Sequence, residues 1–342
     1  MGLMTAQESW RSIRTIRAEP RGSLDRVLQS DKSRRREFHM ALEQAQQQFA
    51  AAERIGYESR PLNLFYGLSQ AGRAIAAGSQ FLGPGSGQQW QASGHGLKYD
   101  VSIPDGVLET PIKQDGNASR DLFSRASVAI GSPLDFKAIR FGAAMNQLVD
   151  YTMAFQEPSE YLRPITDVQI YHLQTKHFPL EAEVRVPGFK VGQAMTVGEV
   201  RNALDSYPAL RSLEIATDDV GNVRWSPNTG RCFVLIDDAD QLKTQDEQGV
   251  AYLQGADYYR RMAILLPRAG ESEKALRPLM SWWTLLYALS MLARYAPSKW
   301  TETLSIADSP VASRIEFLLD AAIDAVPELL WGELKLLTEV QA

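Results

Sequence analysis

RPLMSWWTLLYALSMLAR, residues Arg277 to Arg294, holds sixteen consecutive residues without a charge between its two arginines, and no other stretch of the chain is as apolar for as long. A bilayer span needs roughly 20 apolar residues, and this run also contains Pro278, Ser281, Thr284 and Ser290. It therefore predicts a buried helix at the centre of a soluble domain rather than a membrane segment. On that helix Trp283, Tyr287, Ser290 and Arg294 follow at spacings of four, three and four and share one face. Leu285, Leu286, Leu289 and Leu292 cover much of the rest. The helix stops before Pro297. Two readings of Arg294 stay open: a cation capping the helix end or pairing with Glu302, Asp308 or Glu316, and a ligand-binding group.

A second distinctive helix is predicted from Arg60 to Ile75, opened by Ser59-Arg60-Pro61, since proline is tolerated in a first turn. Leu64, Phe65, Leu68, Ala71, Gly72 and Ile75 take one side, and Asn63, Tyr66, Gln70 and Arg73 take the other. Gly67 and Gly72 each cost about 1 kcal/mol relative to Ala in a helix, which suggests close approach of another backbone. The polar side reads either as solvent surface or as one wall of a pocket facing Trp283, Tyr287, Ser290 and Arg294. His95 lies between Gly94 and Gly96, which would let the backbone come close to whatever the imidazole touches. Together Arg73, His95 and Arg294 would supply charge and guanidinium forks for an anionic group.

Around these two helices the chain reads as an α+β protein, with a mainly helical core formed by the N- and C-terminal helices and a β-rich insert in the middle. Residues 1–30 read as a basic arm with short helical pieces, broken at Pro20 and Gly22. From Asp31, Phe38, Leu42, Ala45, Phe49 and Ala52 recur at helical spacing, with Gly56 a natural stop. A further helix is expected from Phe136 to Phe155. Strands are expected at 168–173, 182–186, 213–217, 223–225, 231–236 and 262–266, interrupted by a helix at Val197 to Leu204 with Thr196 as its cap. Helices at 310–325 and 327–338 close the chain. The resulting division is an arm at 1–30, a discontinuous helical core at 31–155 and 271–342, and an insert at 156–270.

The composition, 44% hydrophobic and 23% charged, is that of a globular protein. Cys232 is the one cysteine, which excludes a disulfide framework or a Cys-rich zinc site and favours a reducing compartment. No signal-peptide hydrophobic region opens the chain, so a cytoplasmic location is expected. Residues 11–36 carry nine basic and three acidic side chains, a charge of +6, which leaves −11 for the remainder of a chain whose net charge is −5. Arg11, Arg14, Arg17, Arg34, Arg35 and Arg36 are thus candidates for contacting nucleic acid or another anionic partner, or for folding back on the acidic body.

Catalytic signatures are missing: there is no HExxH, no Walker loop, no Gly-x-Ser-x-Gly elbow and no Cys/His cluster. The glycine-rich run at 83–87 lacks Gly-Lys-Ser/Thr and follows a helix instead of a strand, so it reads as a loop. Asp237, Asp238 and Asp240 could hold a hard cation or form a solvated turn, and no metal or cofactor is expected. Arg34 and His39 stand at a spacing that resembles the Arg-x4-His signature of HEPN-type ribonucleases.

RPLNLFYGLSQAGRAI (Arg60 to Ile75), GHG (Gly94 to Gly96) and LRPLMSWWTLLYALSMLARYAPSKW (Leu276 to Trp300) resemble, in order, the YaaC-like family of bacterial proteins. The resemblance marks the same two helices and carries over no activity or residue role. The expectation is a non-catalytic binding or scaffold subunit of a bacterial cytoplasmic system, nucleic-acid-linked or acting in phage defence. It would have a protein partner or second copy, and nucleic acid could bind through the basic arm. The rival expectation is an enzyme, either a HEPN-like ribonuclease or a phosphate-directed activity.

Overall fold

The computed structural model describes residues 4–83, 88–102, 106–115, 120–157, 159–166, 168–171, 177–190, 193–227, 229–245, 250–260 and 262–339. Most of the glycine-rich run at 83–87 and the end of the strand expected at 168–173 lie outside them. The chain divides into two compact units, one of residues 1–157, 270–272 and 276–342, the other of 158–269 and 273–275. Helices at both ends and small antiparallel sheets between them make it α+β.

The first unit opens with α1 (Ala6–Ala18), α2 (Gly22–Ser30), α3 (Lys32–Ala52) and α4 (Arg60–Gly78). Thr5 and Glu8 form a capping box at the start of α1, and the Asp31 carboxylate accepts from the Ser33 and Arg34 amides at the start of α3. The stretch read as an arm is thus two helices with a core face of their own, since Trp10, Ile13, Leu24 and Leu28 are buried. Counting charges passes over that face. Phe38, Leu42, Ala45, Phe49 and Ala52 are all buried on α3, as their spacing predicts.

Strands β1 (Leu97–Tyr99), β2 (Pro111–Gln114) and β3 (Ala138–Arg140) form an antiparallel sheet in that order. Helix α5 (Leu122–Ile130) lies between β2 and β3. Asp121 caps its start, and Gly131, left-handed at φ 71°, ends it. The single helix expected from Phe136 to Phe155 is instead β3, α6 (Phe141–Asn146) and α7 (Val149–Ala154). The cause is tertiary: Ala138 to Arg140 pair with Pro111 to Lys113, a partner distant in sequence that outweighs local helical periodicity.

The second unit is built on a four-stranded antiparallel sheet of β4 (Gln169–Tyr171), β5 (Leu180–Val184), β6 (Glu214–Ile215) and β7 (Cys232–Ile236), in the order β4-β5-β7-β6. Helix α8 (Val197–Leu204) starts in a Thr196–Glu199 capping box. One sheet face, with Leu180, Ala182, Val184, Cys232, Val234 and Ile236, packs with Val200 and Leu204 of α8 into this unit's core. Hairpins β8 (Leu242–Gln245) with β9 (Val250–Leu253), and β10 (Asp257–Tyr259) with β11 (Met262–Ile264), complete it. Burial pushes the Cys232 thiol up to about 12, so it is a packed apolar residue.

The chain returns to the first unit with α9 (Pro278–Tyr295), α10 (Pro297–Thr303) and α11 (Ala312–Thr338). The split expected at Pro327 does not occur. Pro327 sits buried inside α11, where the apolar seam Ile315, Leu318, Leu319, Ala322, Val326, Leu330 and Leu334 runs uninterrupted. Continued burial outweighs the roughly 3 kcal/mol that an interior proline costs. Among the described residues no helix is long and apolar enough to cross a membrane.

Candidate functional site

Helices α4 and α9 pack directly on each other in the first unit, and Gly72 of α4 lies against the Trp283 ring of α9 rather than against its backbone. A Cβ built on Gly72 would lie 2.5 Å from Cζ3 of Trp283 and closer still to Cη2. The indole fills the space that any side chain at 72 would need, which is why the helix tolerates this residue. At the C-terminal end of α9 the Arg294 Nη1 donates to the Tyr66 hydroxyl of α4 at 3.1 Å. The Arg294 guanidinium also lies over the Tyr295 ring, 5.0 Å from its centroid. The expected pairing of Arg294 with Glu302, Asp308 or Glu316 is not made.

The loop before β1 brings the third group. Gly94 and Gly96 both have positive φ, 82° and 86°. The Gly94 and His95 carbonyls accept from the Leu122 and Phe123 amides, and the Asp121 carboxylate accepts from the Ser124 amide and hydroxyl. The first three orphan amides of α5 are thereby satisfied, and the same bonds fix the backbone at His95. Its ring lies 5.4 Å from Phe65 and 6.1 Å from Tyr287, and those two rings meet edge-on at 5.4 Å. Partial burial, then the charges of Arg294 and Arg73, hold His95 below its ordinary pKa, so the imidazole is neutral at pH 7.

Tyr66, His95 and Arg294 therefore come together from three segments, and Arg73, two turns after Tyr66 on the same side of α4, is near enough for its charge to act on His95. Gln70, four residues after Tyr66 and three before Arg73, shares their side of α4 and is half-buried. Among the described residues neither Arg73 nor Arg294 pairs with a carboxylate. The remaining sequence candidates lie elsewhere. Asn63 donates to the Gln48 side chain on α3. Trp283 is 1% exposed and packs edge-on to Phe123, with no partner for its indole nitrogen. Ser290 is buried and donates to the Tyr287 carbonyl. Tyr287, 4% exposed, donates to the Leu97 carbonyl at 2.6 Å, and burial pushes its phenol up to about 12. Tyr287 thus ties β1 to α9 beneath His95 and offers a ligand no free hydroxyl.

Sequence reasoning missed three contributors. Tyr295 is 55% exposed and carries Arg294 on its face. Phe65, counted only as core, is the ring between His95 and Tyr287. Asp121 anchors the His95 loop, and its signal was there: an aspartate three residues before Ser124 at the start of an apolar run, with Gly131 ten residues after it.

The basic residues near the N-terminus separate into distinct environments. Arg34 is buried, its Nη2 donating to the Ser79 and Leu82 carbonyls just past the end of α4, with the Trp90 ring 5.8 Å away. It therefore closes off the carbonyls of the turn that follows α4, a role available to a cation at a helix C-terminus. Arg17 pairs with Glu43 beside His39, and Arg11, Arg14, Arg35 and Arg36 are exposed. His39 is held below its ordinary pKa by burial and then by Arg35 and Arg17, and Arg34 contributes nothing to that shift. Asp238 caps a short turn by accepting from the Asp240 and Gln241 amides. Among the described residues no group of three or more His, Cys, Asp or Glu could hold a metal ion.

No curated protein and no solved structure matches the chain. A family model described as YaaC-like protein matches residues 8–334, and that span takes in α4, the His95 loop and α9. The match covers nearly the whole chain, and the protein belongs to the YaaC-like family.

Proposed function

We propose that this protein is a non-catalytic binding subunit that takes an anionic group of its partner at the face formed by Tyr66, Arg73, His95 and Arg294. The observation that carries this reading is the grouping of two arginines and a histidine with no carboxylate paired to either arginine among the described residues. Guanidinium forks suit carboxylate, sulfate and phosphate oxygens, and an anion would replace mutual repulsion with charge-assisted hydrogen bonds. Binding is favoured over chemistry because nearby hydroxyls are committed: Ser290 to the Tyr287 carbonyl, Tyr287 to the Leu97 carbonyl, and Tyr66 as acceptor from Arg294. A nucleic-acid-linked or phage-defence setting in the cytoplasm extends this reading and draws on the exposed Arg11, Arg14, Arg35 and Arg36.

The test is a titration with inorganic sulfate, following the His95 ring protons by NMR against His177 as an internal reference and chloride at matched ionic strength. A saturable shift at His95 that disappears in Arg294→Gln is expected. A His95 signal that moves no more than that of His177 refutes the reading. The ribonuclease alternative requires Arg34 to leave the Ser79 and Leu82 carbonyls, and RNA cleavage lost in His39→Ala would favour it instead.

A further inference from the structure

We infer, resting on the anion-binding reading above, that the anionic group is the phosphodiester backbone of a single-stranded nucleic acid, its bases laid on Tyr66 and Tyr295. Three observations lead there. The face is open: Tyr66 is 39% and Tyr295 55% exposed, and Arg294 is exposed between them. A small anion recognised for itself is usually enclosed, with most of its surface buried, whereas a chain that lies across a surface needs no enclosure. The face is also long. Tyr66 and Arg73 are seven residues apart on α4, about 10 Å along the axis, which exceeds the width of one phosphate and suits successive groups of a polymer. Finally, rings and cations alternate. The Arg294 guanidinium bonds the Tyr66 hydroxyl and lies over one face of the Tyr295 ring, so two partly exposed aromatic residues flank one cation.

Rings that accept bases beside arginines that accept phosphates are what sequence-tolerant binding of single strands needs, because every base has a π-face. A duplex hides those faces. A purely acidic partner would make no use of the rings. The arginine-to-ring contact itself would persist, since guanidinium also stacks on bases.

The experiment is fluorescence anisotropy of the full chain with a labelled ten-nucleotide single strand. The competitors are unlabelled strand, the corresponding duplex, inorganic polyphosphate of equal charge and poly-glutamate of equal charge. Stacking on two rings predicts that the strand outcompetes polyphosphate by about tenfold or more. Tyr295→Ala should shrink that advantage several-fold, weakening strand binding more than it weakens the sulfate response of His95, and Arg294→Gln should weaken both strand and sulfate. Both positions are exposed, so these variants retain the fold, which circular dichroism checks. A His95 response to sulfate with the strand no better than polyphosphate or poly-glutamate overturns the nucleic-acid inference and leaves the anion site standing. Duplex bound as tightly as single strand overturns it as well. So does strand binding insensitive to Arg294→Gln but lost when Arg11, Arg14, Arg35 and Arg36 are all replaced by Gln. Silence of His95 toward sulfate removes the underlying reading too.

Discussion

Replacing Gly72 by Ala tests the contact on which the site is built. In an isolated helix the change would stabilise by about 1 kcal/mol, because alanine is the better helix former. Here the new Cβ would stand 2.5 Å from Trp283 Cζ3 and nearer to Cη2, whereas ordinary carbon contacts need about 3.5 Å or more. One of the two must yield by roughly 1 Å. The indole cannot swing outward, since it is 1% exposed and lies against Phe123, so α4 and α9 must separate. Overpacking of this kind costs about 1–3 kcal/mol, and a rigid buried ring places it at the upper end. Against the helix-propensity gain the net is a loss of about 2 kcal/mol, read as a lowered urea midpoint at unchanged slope. The cycle with Trp283→Leu sharpens the test. Without the indole, Gly72→Ala should become neutral or stabilising, for a coupling of about 2–3 kcal/mol. Gly72→Ala as stable as the parent, or a coupling below about 0.5 kcal/mol, would refute the packing of these helices.

Gly332, inside α11, provides the opposite expectation: beyond the helix's own backbone, nothing among the described residues lies within 4 Å of a Cβ built there, so Gly332→Ala should raise stability by about 0.5–1 kcal/mol in the same urea assay. Tyr287→Phe removes the hydroxyl that bonds the Leu97 carbonyl. It should cost about 1–2 kcal/mol through the buried acceptor left without a donor and speed hydrogen exchange in β1. The pH dependence follows from His95. Its folded pKa is lowered by partial burial, Arg294 and Arg73, so its contribution is fully present above the ordinary histidine value near 6.5. That contribution is lost as pH falls from there through the lowered folded value. A bound anion reverses the balance by favouring the imidazolium, so sulfate affinity should rise as pH falls through the same window. His95→Gln should flatten that rise, and titration at several pH values checks it.

What the sequence disclosed follows from how local its causes are. Sixteen uncharged residues dictated the burial of α9, and the 3.6-residue recurrence on α3 picked out its core face, because both signals are complete within one segment. The passage from Phe136 to Phe155 was misread for the converse reason: β3 exists only because β2 offers it a partner, and no window around residue 138 contains that information. The site divides along the same line. Spacing alone put Tyr66, Gln70 and Arg73 on one side of α4, whereas the two glycines, read as the mark of an approaching backbone, meet the side-chain rings of Phe49 and Trp283 instead. Spacing also put Trp283, Ser290 and Tyr287 with Arg294, yet the first three turn inward, because a helix buried nearly all round has no solvent face to assign to them. The remaining fact, whether a cation is paired, depends on side chains far away in the sequence. Arg60 meets Asp320, Arg277 meets Glu333 and Arg314 meets Glu157, each across a long sequence separation. In a chain with 41 acidic and 36 basic residues, such pairing is the ordinary fate of an arginine. Arg73 and Arg294 meet no carboxylate among the described residues and instead share a neutral histidine whose pKa both depress. Leaving two cations together costs free energy that a carboxylate on either neighbouring turn would have recovered, and an anion that arrives from outside recovers it instead.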